Sequence, residues 1–379
     1  MRKTAVVHIG LEKTGSTAIQ RWLASGHDRL AGHGVVMPRS IGFPNHTKLV
    51  SACLDDGVYD NIKSHQLFVA AVSEQRFRSQ AFAALDHEVR AAGDAWHTLL
   101  ISSELISSRL STPSEIGRLH EQLLRHVDAV RYVLFLRRQD QLALSRFISI
   151  LRSGHRHFSD VFLDYSPSNF LKVPDQRCLS DDLFFYDFEA IISRFECLPS
   201  AEVDVHFYGR SSPVEVMSAL LGLEGFPAVE GKKRHNSALS AEAQYILSRL
   251  NRIRPVQFPS GMRNDAYRGL QRRVEAEVGG PPRMVRRADA EAFHDRFAAM
   301  NARLFKRYGD GAPCFSQDFG MYPEACDYSK LPEQASASLA KYERLARALP
   351  DHPSSRQLLK SKSKRFKALL RGLVGRVVR

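Results

Sequence analysis

The chain has 379 residues, 44% of them hydrophobic and 25% charged, with a formal net charge of +13. That composition suits one large globular domain with additions, or two domains, and no apolar run approaches the roughly 18 residues of a membrane-spanning helix. The five cysteines (Cys53, Cys178, Cys197, Cys314, Cys326) are odd in number and form no C-x-x-C, so they predict reduced thiols in a cytoplasmic protein rather than a disulfide framework.

The first strand-like run, Thr4-Ala5-Val6-Val7, begins so early that no signal peptide is expected ahead of it. It leads into His8-Ile9-Gly10-Leu11-Glu12-Lys13-Thr14-Gly15-Ser16-Thr17. Gly10 and Gly15 keep the glycine spacing of the nucleotide-binding loop G-x-x-x-x-G-K-[ST]. Here Ser16 and Thr17 follow the second glycine, and Lys13 lies inside the loop. Ala18, Ile19, Trp22 and Leu23 then recur at helical spacing, which predicts a helix starting near Ser16. A helix N-terminus presents free N–H groups and a positive dipole end to an anion. Ser16 and Thr17 add hydroxyl donors and Lys13 adds a charge, so the segment reads as an anion-binding loop. The plainer alternative is a strand-turn-helix with a surface lysine.

Further elements follow in order: a strand over 34–37, helical stretches over 67–72 and 81–89, and an apolar strand over 98–103 that ends at Glu104. A helix over 116–126 and a strand over 130–136 come next, the strand ending in Arg137-Arg138. Leu142, Leu144, Phe147 and Ile148 mark the helix after it. Strands alternating with helices predict an α/β fold with a mostly parallel sheet covered on both faces. In such sheets ligands bind at the carboxyl ends of the strands. Three strand ends here carry a lysine loop, a glutamate and an arginine pair. Glu104 suits either a general base on a hydroxyl or a helix N-terminus. An arginine is suited to phosphate, or to a solvated strand end. Enzymes that use a magnesium nucleotide need an acid at such a strand end, so the arginines speak against a kinase or ATPase. No His-Cys metal spacing is present, and no metal is expected.

Residues 153 to 182 are irregular and aromatic, which predicts a lid or an acceptor-binding loop. A helix over 186–195, a strand over 203–208 and a helix over 213–221 follow. The basic string Lys232-Lys233-Arg234-His235-Asn236-Ser237 precedes a helical part over 240–308, interrupted by prolines. From His352 to the end there are nine lysines and arginines and no acid, so the body of the chain is only mildly basic. Nucleic acid is therefore not an expected partner. In that tail Phe366, Leu369, Leu370, Leu373, Val374, Val377 and Val378 share one helical face flanked by basic residues. A basic amphipathic helix of this kind predicts contact with an anionic membrane surface through 356–379, and the alternatives are a free basic tail or a helix docked on the body.

Lys13-Thr14-Gly15-Ser16-Thr17 resembles the 5′-phosphosulfate loop of sulfotransferases that use 3′-phosphoadenosine 5′-phosphosulfate (PAPS). The wider string from His8 to Gln20 resembles the bacterial, carbohydrate-type branch. The resemblance implies a P-loop-type three-layer α/β fold over residues 1–325 and a C-terminal extension over 326–379. It implies that Lys13, Thr14, Gly15, Ser16 and Thr17 hold the donor's 5′ side, with Lys13 stabilising the departing phosphate. Arg137 and Ser145, eight residues apart, match the family's 3′-phosphate motif, although Arg138-Gln139 stands where the family often has Asn-Pro. Either arginine of the pair then suits the main contact. Lys233 and Arg234 resemble the later segment that returns to the 3′-phosphate. Ser102-Ser103-Glu104 resembles the segment bearing the acceptor's base, and His46 resembles a histidine that contacts the acceptor or assists proton transfer. The implied activity is sulfuryl transfer from PAPS to a hydroxyl of a glycan, glycolipid or other small acceptor, in the cytoplasm or at the inner face of the membrane. The competing readings are a nucleotide kinase or NTPase, and a non-catalytic nucleotide- or glycan-binding scaffold.

Overall fold

A computed structural model describes residues 2–154, 185–223, 226, 239–259 and 261–353. Nearly all of the segment expected to form a lid, both Lys233 and Arg234, and the basic tail over 356–379 lie outside these residues. The described chain is α/β, with five strands: β1 (Thr4–Gly10), β2 (Val35–Val36), β3 (Thr98–Ser102), β4 (Ala129–Leu136) and β5 (Ala201–Phe207). They form one sheet in the order β2-β3-β1-β4-β5, and every neighbouring pair is parallel.

Period-two alternation sorts the strand side chains onto two covered faces. Val6, Leu100, Val133 and Phe135 point to one face. There they meet Ile19, Trp22 and Leu23 of α1 (Ser16–Ser25), together with Met217 of the helix Pro213–Leu220. Ala5, Val7, Ile9, Leu99, Ile101, Tyr132 and Leu134 point to the other. That face carries the larger core, with Leu49 of α3 (Thr47–Cys53), Leu85 of the helix Glu74–Ala91, Leu119 of the helix Pro113–Leu124 and Phe147 of α8 (Gln139–Arg152). Each such buried apolar side chain contributes about 1.5–3 kcal/mol relative to exposure.

The strand order explains where the loop lies. From β1 the chain crosses under α1 to the sheet edge at β2, then returns through β3 and passes beyond β1 to β4 and β5, with its helices on the opposite face. The loop after β1 therefore leaves toward one face while the connections after β3 and β4 leave toward the other. The crevice so opened at the carboxyl ends of the strands is where α/β sheets bind ligands.

Several boundaries differ from the pattern reading for local reasons. β1 runs three residues past the apolar stretch because His8 is accepted into the sheet as a buried neutral ring. The helix expected over 116–126 begins at Pro113. Thr112 accepts from the Glu115 N–H, and the Glu115 side chain accepts from the Thr112 N–H, which completes a capping box. The C-terminal part of the described chain is docked rather than separate. The helix Ser336–Arg347 packs on the helix Ala241–Ile253, and Tyr342 and Lys341 both donate to Glu277 at 2.8 Å. No helix of the described residues is long and apolar enough to cross a membrane.

Two buried histidines make an acid-sensitive element. Burial lowers the pKa of His8 to about 3 and that of His46 to about 4, from an ordinary 6.5. Both rings are neutral when folded, whereas the unfolded chain protonates them from about pH 6.5 downward. Their stabilising contribution is full above that pH and drains as pH falls toward the folded values. Between about pH 6.5 and about pH 5.5 each ring is expected to cost about 1 kcal/mol. Denaturant unfolding with proton-uptake measurement checks this, and no proton uptake on unfolding near pH 5.5 would refute it.

Candidate functional site

The loop after β1 is held by its own backbone and by β4. Leu11 donates its N–H to the Phe135 carbonyl at 3.1 Å, and Thr14 Oγ1 donates to the Leu11 carbonyl at 2.6 Å. Thr14 is fully buried, so its hydroxyl is spent inside the loop and only main-chain groups of this residue remain for a ligand. Gly10 has φ +111°, and a Cβ there would come within 3.1 Å of the Glu104 Cα. Gly15 has φ +93°, and a Cβ there would meet Pro213 at 3.0 Å. At both positions a side chain would be strained by the backbone conformation and would crowd its neighbours. Lys13 adopts φ +67° without being glycine. Such left-handed residues are uncommon and gather at functional sites.

α1 starts at Ser16 with Gly15 as its N-cap, with no side-chain cap and no acid in its first turn. Among the described residues the Ser16 and Thr17 N–H groups have no hydrogen-bond partner, while Ala18 and Ile19 donate to the Gly15 carbonyl. Thr17 is exposed, and Ser16 is buried with only a long 3.4 Å contact from its hydroxyl to the Leu11 carbonyl.

The two arginines after β4 part company. Arg138 is 2% exposed and pairs through two nitrogens with Asp140, at 2.8 and 2.9 Å. Its third nitrogen donates to the carbonyls of Ser316 and Asp318, at 2.6 and 2.7 Å, and its guanidinium carbon lies 4.0 Å from the Phe319 ring centre. Tyr322 also donates to Asp140. Arg138 is thus a clamp between α8 and the segment around 316–322. Arg137 turns to the loop, donating from Nη1 to the Lys13 carbonyl at 2.9 Å. Its Nε is buried with no hydrogen-bond partner among the described residues, and its guanidinium lies 5.3 Å from the Tyr208 ring centre. Replacing Arg138 by Lys keeps the charge and removes the fork. The expected loss is about 2 kcal/mol of stability, read as a lower denaturant midpoint at unchanged slope. An unchanged midpoint would refute the clamp.

Lys13 and Arg137 are cations without acids. Burial lowers the pKa of Lys13, and the positive charges of Arg152 and Arg137 lower it further against the opposing pull of Glu12 and Glu104. Burial likewise lowers that of Arg137. Neither forms an ion pair among the described residues. Two partly desolvated, mutually repelling cations beside an open helix N-terminus are relieved by an anion. Ser145, on the second turn of α8, is half-buried, and its hydroxyl makes no hydrogen bond to a described residue.

Glu104 stands at the end of β3, against Gly10, and makes no capping hydrogen bond to the helix that follows it. Its carboxylate accepts from Gln20 at 2.7 Å and from Asn45 at 3.0 Å. Burial raises its pKa above the usual carboxylate value, and Glu12 adds to this. His46 differs from the expectation of a group free to move protons. It is fully buried, and its Nε2 donates to the Pro38 carbonyl while its Nδ1 accepts from the Ser102 N–H, each at 2.9 Å. Both nitrogens are committed, so the ring braces the segment before α3 against β3.

The strand-end logic thus brings together Lys13, Ser16, Thr17, Arg137 and Glu104, while it sends Arg138 and His46 into the framework. Gln20, Asn45 and Tyr208 also stand here, and none was singled out from the sequence. Tyr208 was legible as an aromatic at the end of the fifth strand. The neutral amides carried no such mark. Among the described residues no group of histidine, cysteine, aspartate and glutamate side chains is arranged to hold a metal. Compared with family models, with curated proteins and with solved structures, the chain shows no match.

Proposed function

We propose that this protein is a PAPS-dependent sulfotransferase on a P-loop-type fold, acting on an acceptor hydroxyl of a sugar, glycolipid or other small molecule. The observation that carries the proposal is the pair Lys13 and Arg137, without an ion-pair partner among the described residues, beside an open helix N-terminus, with the Glu104 carboxylate near enough to Lys13 to act on its charge. The donor suits this set. The Ser16 and Thr17 N–H groups and Lys13 would hold its 5′-phosphosulfate, and Arg137 with Ser145 its 3′-phosphate. Tyr208 adds an exposed ring face beside Arg137. PAPS supplies an activated sulfuryl group on a good leaving phosphate.

The chain's own residues supply position and charge. Glu104 takes the acceptor's hydroxyl proton as that oxygen bonds to sulfur and the bond from sulfur to the 5′-phosphate oxygen breaks. Lys13 neutralises the charge that gathers on the departing phosphate. The products are a sulfate ester and adenosine 3′,5′-bisphosphate.

Calorimetric titration with adenosine 3′,5′-bisphosphate and with ATP tests the reading. The expected result is micromolar binding of the bisphosphate, worth about 8 kcal/mol, and markedly weaker binding of ATP with or without Mg²⁺. Tight magnesium-dependent ATP binding would favour a kinase or NTPase instead, and binding of neither nucleotide would favour a non-catalytic scaffold.

A further inference from the structure

The Glu104 carboxylate has two neutral amide partners to which the proposed reaction gives no role. Gln20, 6% exposed on α1, donates from Nε2 to Oε2 at 2.7 Å. Asn45, just before α3, donates from Nδ2 to Oε1 at 3.0 Å. The Asn45 amide is itself oriented, because the Ser103 hydroxyl donates to its Oδ1 at 2.7 Å and so turns Nδ2 toward Glu104. Ser103 is fixed through its own N–H, which donates to the His8 carbonyl at 2.9 Å. Next to Asn45, His46 is pinned between the Pro38 carbonyl and the Ser102 N–H. Side chains from α1, from the segment before α3 and from the end of β3 thus converge on one carboxylate.

We propose that Gln20 and Asn45 are positioning residues that hold Glu104 in its ionised, proton-accepting state. Each carboxylate oxygen receives one amide N–H. A protonated Glu104 would lose acceptor strength on the oxygen that carries its hydrogen. The two amides therefore favour the carboxylate against the burial that disfavours it. Each oxygen keeps a further lone pair for an acceptor hydroxyl.

The backbone N–H of Glu104 itself also favours the carboxylate, and the two amides add to it; the remaining groups nearby do not do this work. Glu12 and Lys13 of the loop face it with opposite signs. From the helix Leu105–Arg109, Ser107 and Ser108 donate only to its carbonyl, and Arg109 pairs with Asp60. His8 and His46, behind Ser102, are neutral. The inference rests on the reading of Glu104 as the base of a hydroxyl transfer.

The test follows the Glu104 carboxyl carbon by NMR in full-length protein labelled at the glutamate carboxyl groups, with the signal assigned by its loss in Glu104→Gln. Gln20→Met and Asn45→Leu each remove one donor at similar volume. In each, the Glu104 midpoint is expected to rise by about one pH unit. The acid limb of PAPS turnover should rise with it, while affinity for adenosine 3′,5′-bisphosphate stays within about twofold. A purely structural role would not move the carboxyl midpoint and the acid limb together. An unmoved midpoint in the folded variants overturns the proposal. Should those two variants fail to fold, Ser103→Ala decides it, since it leaves both amides and Glu104 in place and removes only the group that orients Asn45. An upward midpoint there supports the clamp and an unmoved one overturns it. The titration needs no nucleotide. A wild-type protein that fails to bind the bisphosphate therefore sinks the sulfotransferase reading while the clamp is still judged on the carboxyl signal.

Discussion

Under the proposed chemistry, replacing Glu104 by Gln is expected to slow release of adenosine 3′,5′-bisphosphate from PAPS by about 10²–10⁴-fold, the range that a positioned general base contributes. Release is measured with an acceptor, or as slow transfer to water. The same substitution leaves the protein no less stable at neutral pH. Burial raises the folded-state pKa of Glu104, so the folded chain holds this proton to a higher pH than the unfolded chain does. Its contribution to stability is therefore present at low pH and is lost as pH rises through the folded value, and a neutral side chain removes that cost. The hydrogen bonds can also be kept. The introduced glutamine would turn its carbonyl to Asn45, whose amide is held by Ser103, and its NH₂ to Gln20. The Gln20 carbonyl has no other partner among the described residues, so that amide is able to turn over. Lost turnover with retained melting temperature marks a catalytic carboxylate. Retained turnover would remove Glu104 from the chemistry.

Under the same proposal, replacing Lys13 by Ala is expected to lower turnover by about 10²–10³-fold, as for loss of one preorganised charge at a developing anion. Affinity for adenosine 3′,5′-bisphosphate falls by less than about tenfold, since Arg137 and the helix N-terminus remain. The backbone offers a control. Lys13 lies at φ +67°, where glycine is unstrained. Lys13→Gly relieves that strain, so a loss of turnover equal to that of the alanine variant assigns the effect to the missing charge. The wild-type protein adds a pH test. Burial and the neighbouring arginines pull the Lys13 pKa below its ordinary 10.5, so the basic limb of the turnover profile should lie below that value. Unchanged turnover in Lys13→Ala would end its assignment to the leaving phosphate.

Parts of this site were legible because they depend on short-range pattern. An apolar run that stops at a charged residue marks both a strand and its end, and three such ends carry Lys13, Glu104 and Arg137. The pattern misled where a polar residue was hidden. His8 interrupts the apolar run, yet β1 continues to Gly10, because the ring is buried neutral with its Nδ1 on the Ser102 hydroxyl at 2.9 Å. Residue type could not separate Arg137 from Arg138, and the eight-residue spacing to Ser145 favoured Arg137 while leaving Arg138 open for the main contact. The turn from β4 into α8 sends one to the loop and the other to Asp140 and the carbonyls of Ser316 and Asp318.

The sequence by itself determined the alternation of strands and helices, the glycines that permit the loop, and the charges standing at the strand ends. All of these follow from residues within a few positions of one another. Only the tertiary structure decided which groups those charges meet. Gln20 and Asn45 reach Glu104 from 84 and 59 positions away. They are neighbours because β3 lies beside β1, which places α1, the segment before α3 and the end of β3 around one crevice. Hydrogen bonding and desolvation act over a few ångströms of space rather than along the chain, so the partners that tune Glu104 and leave Lys13 uncompensated emerge only once the sheet is assembled.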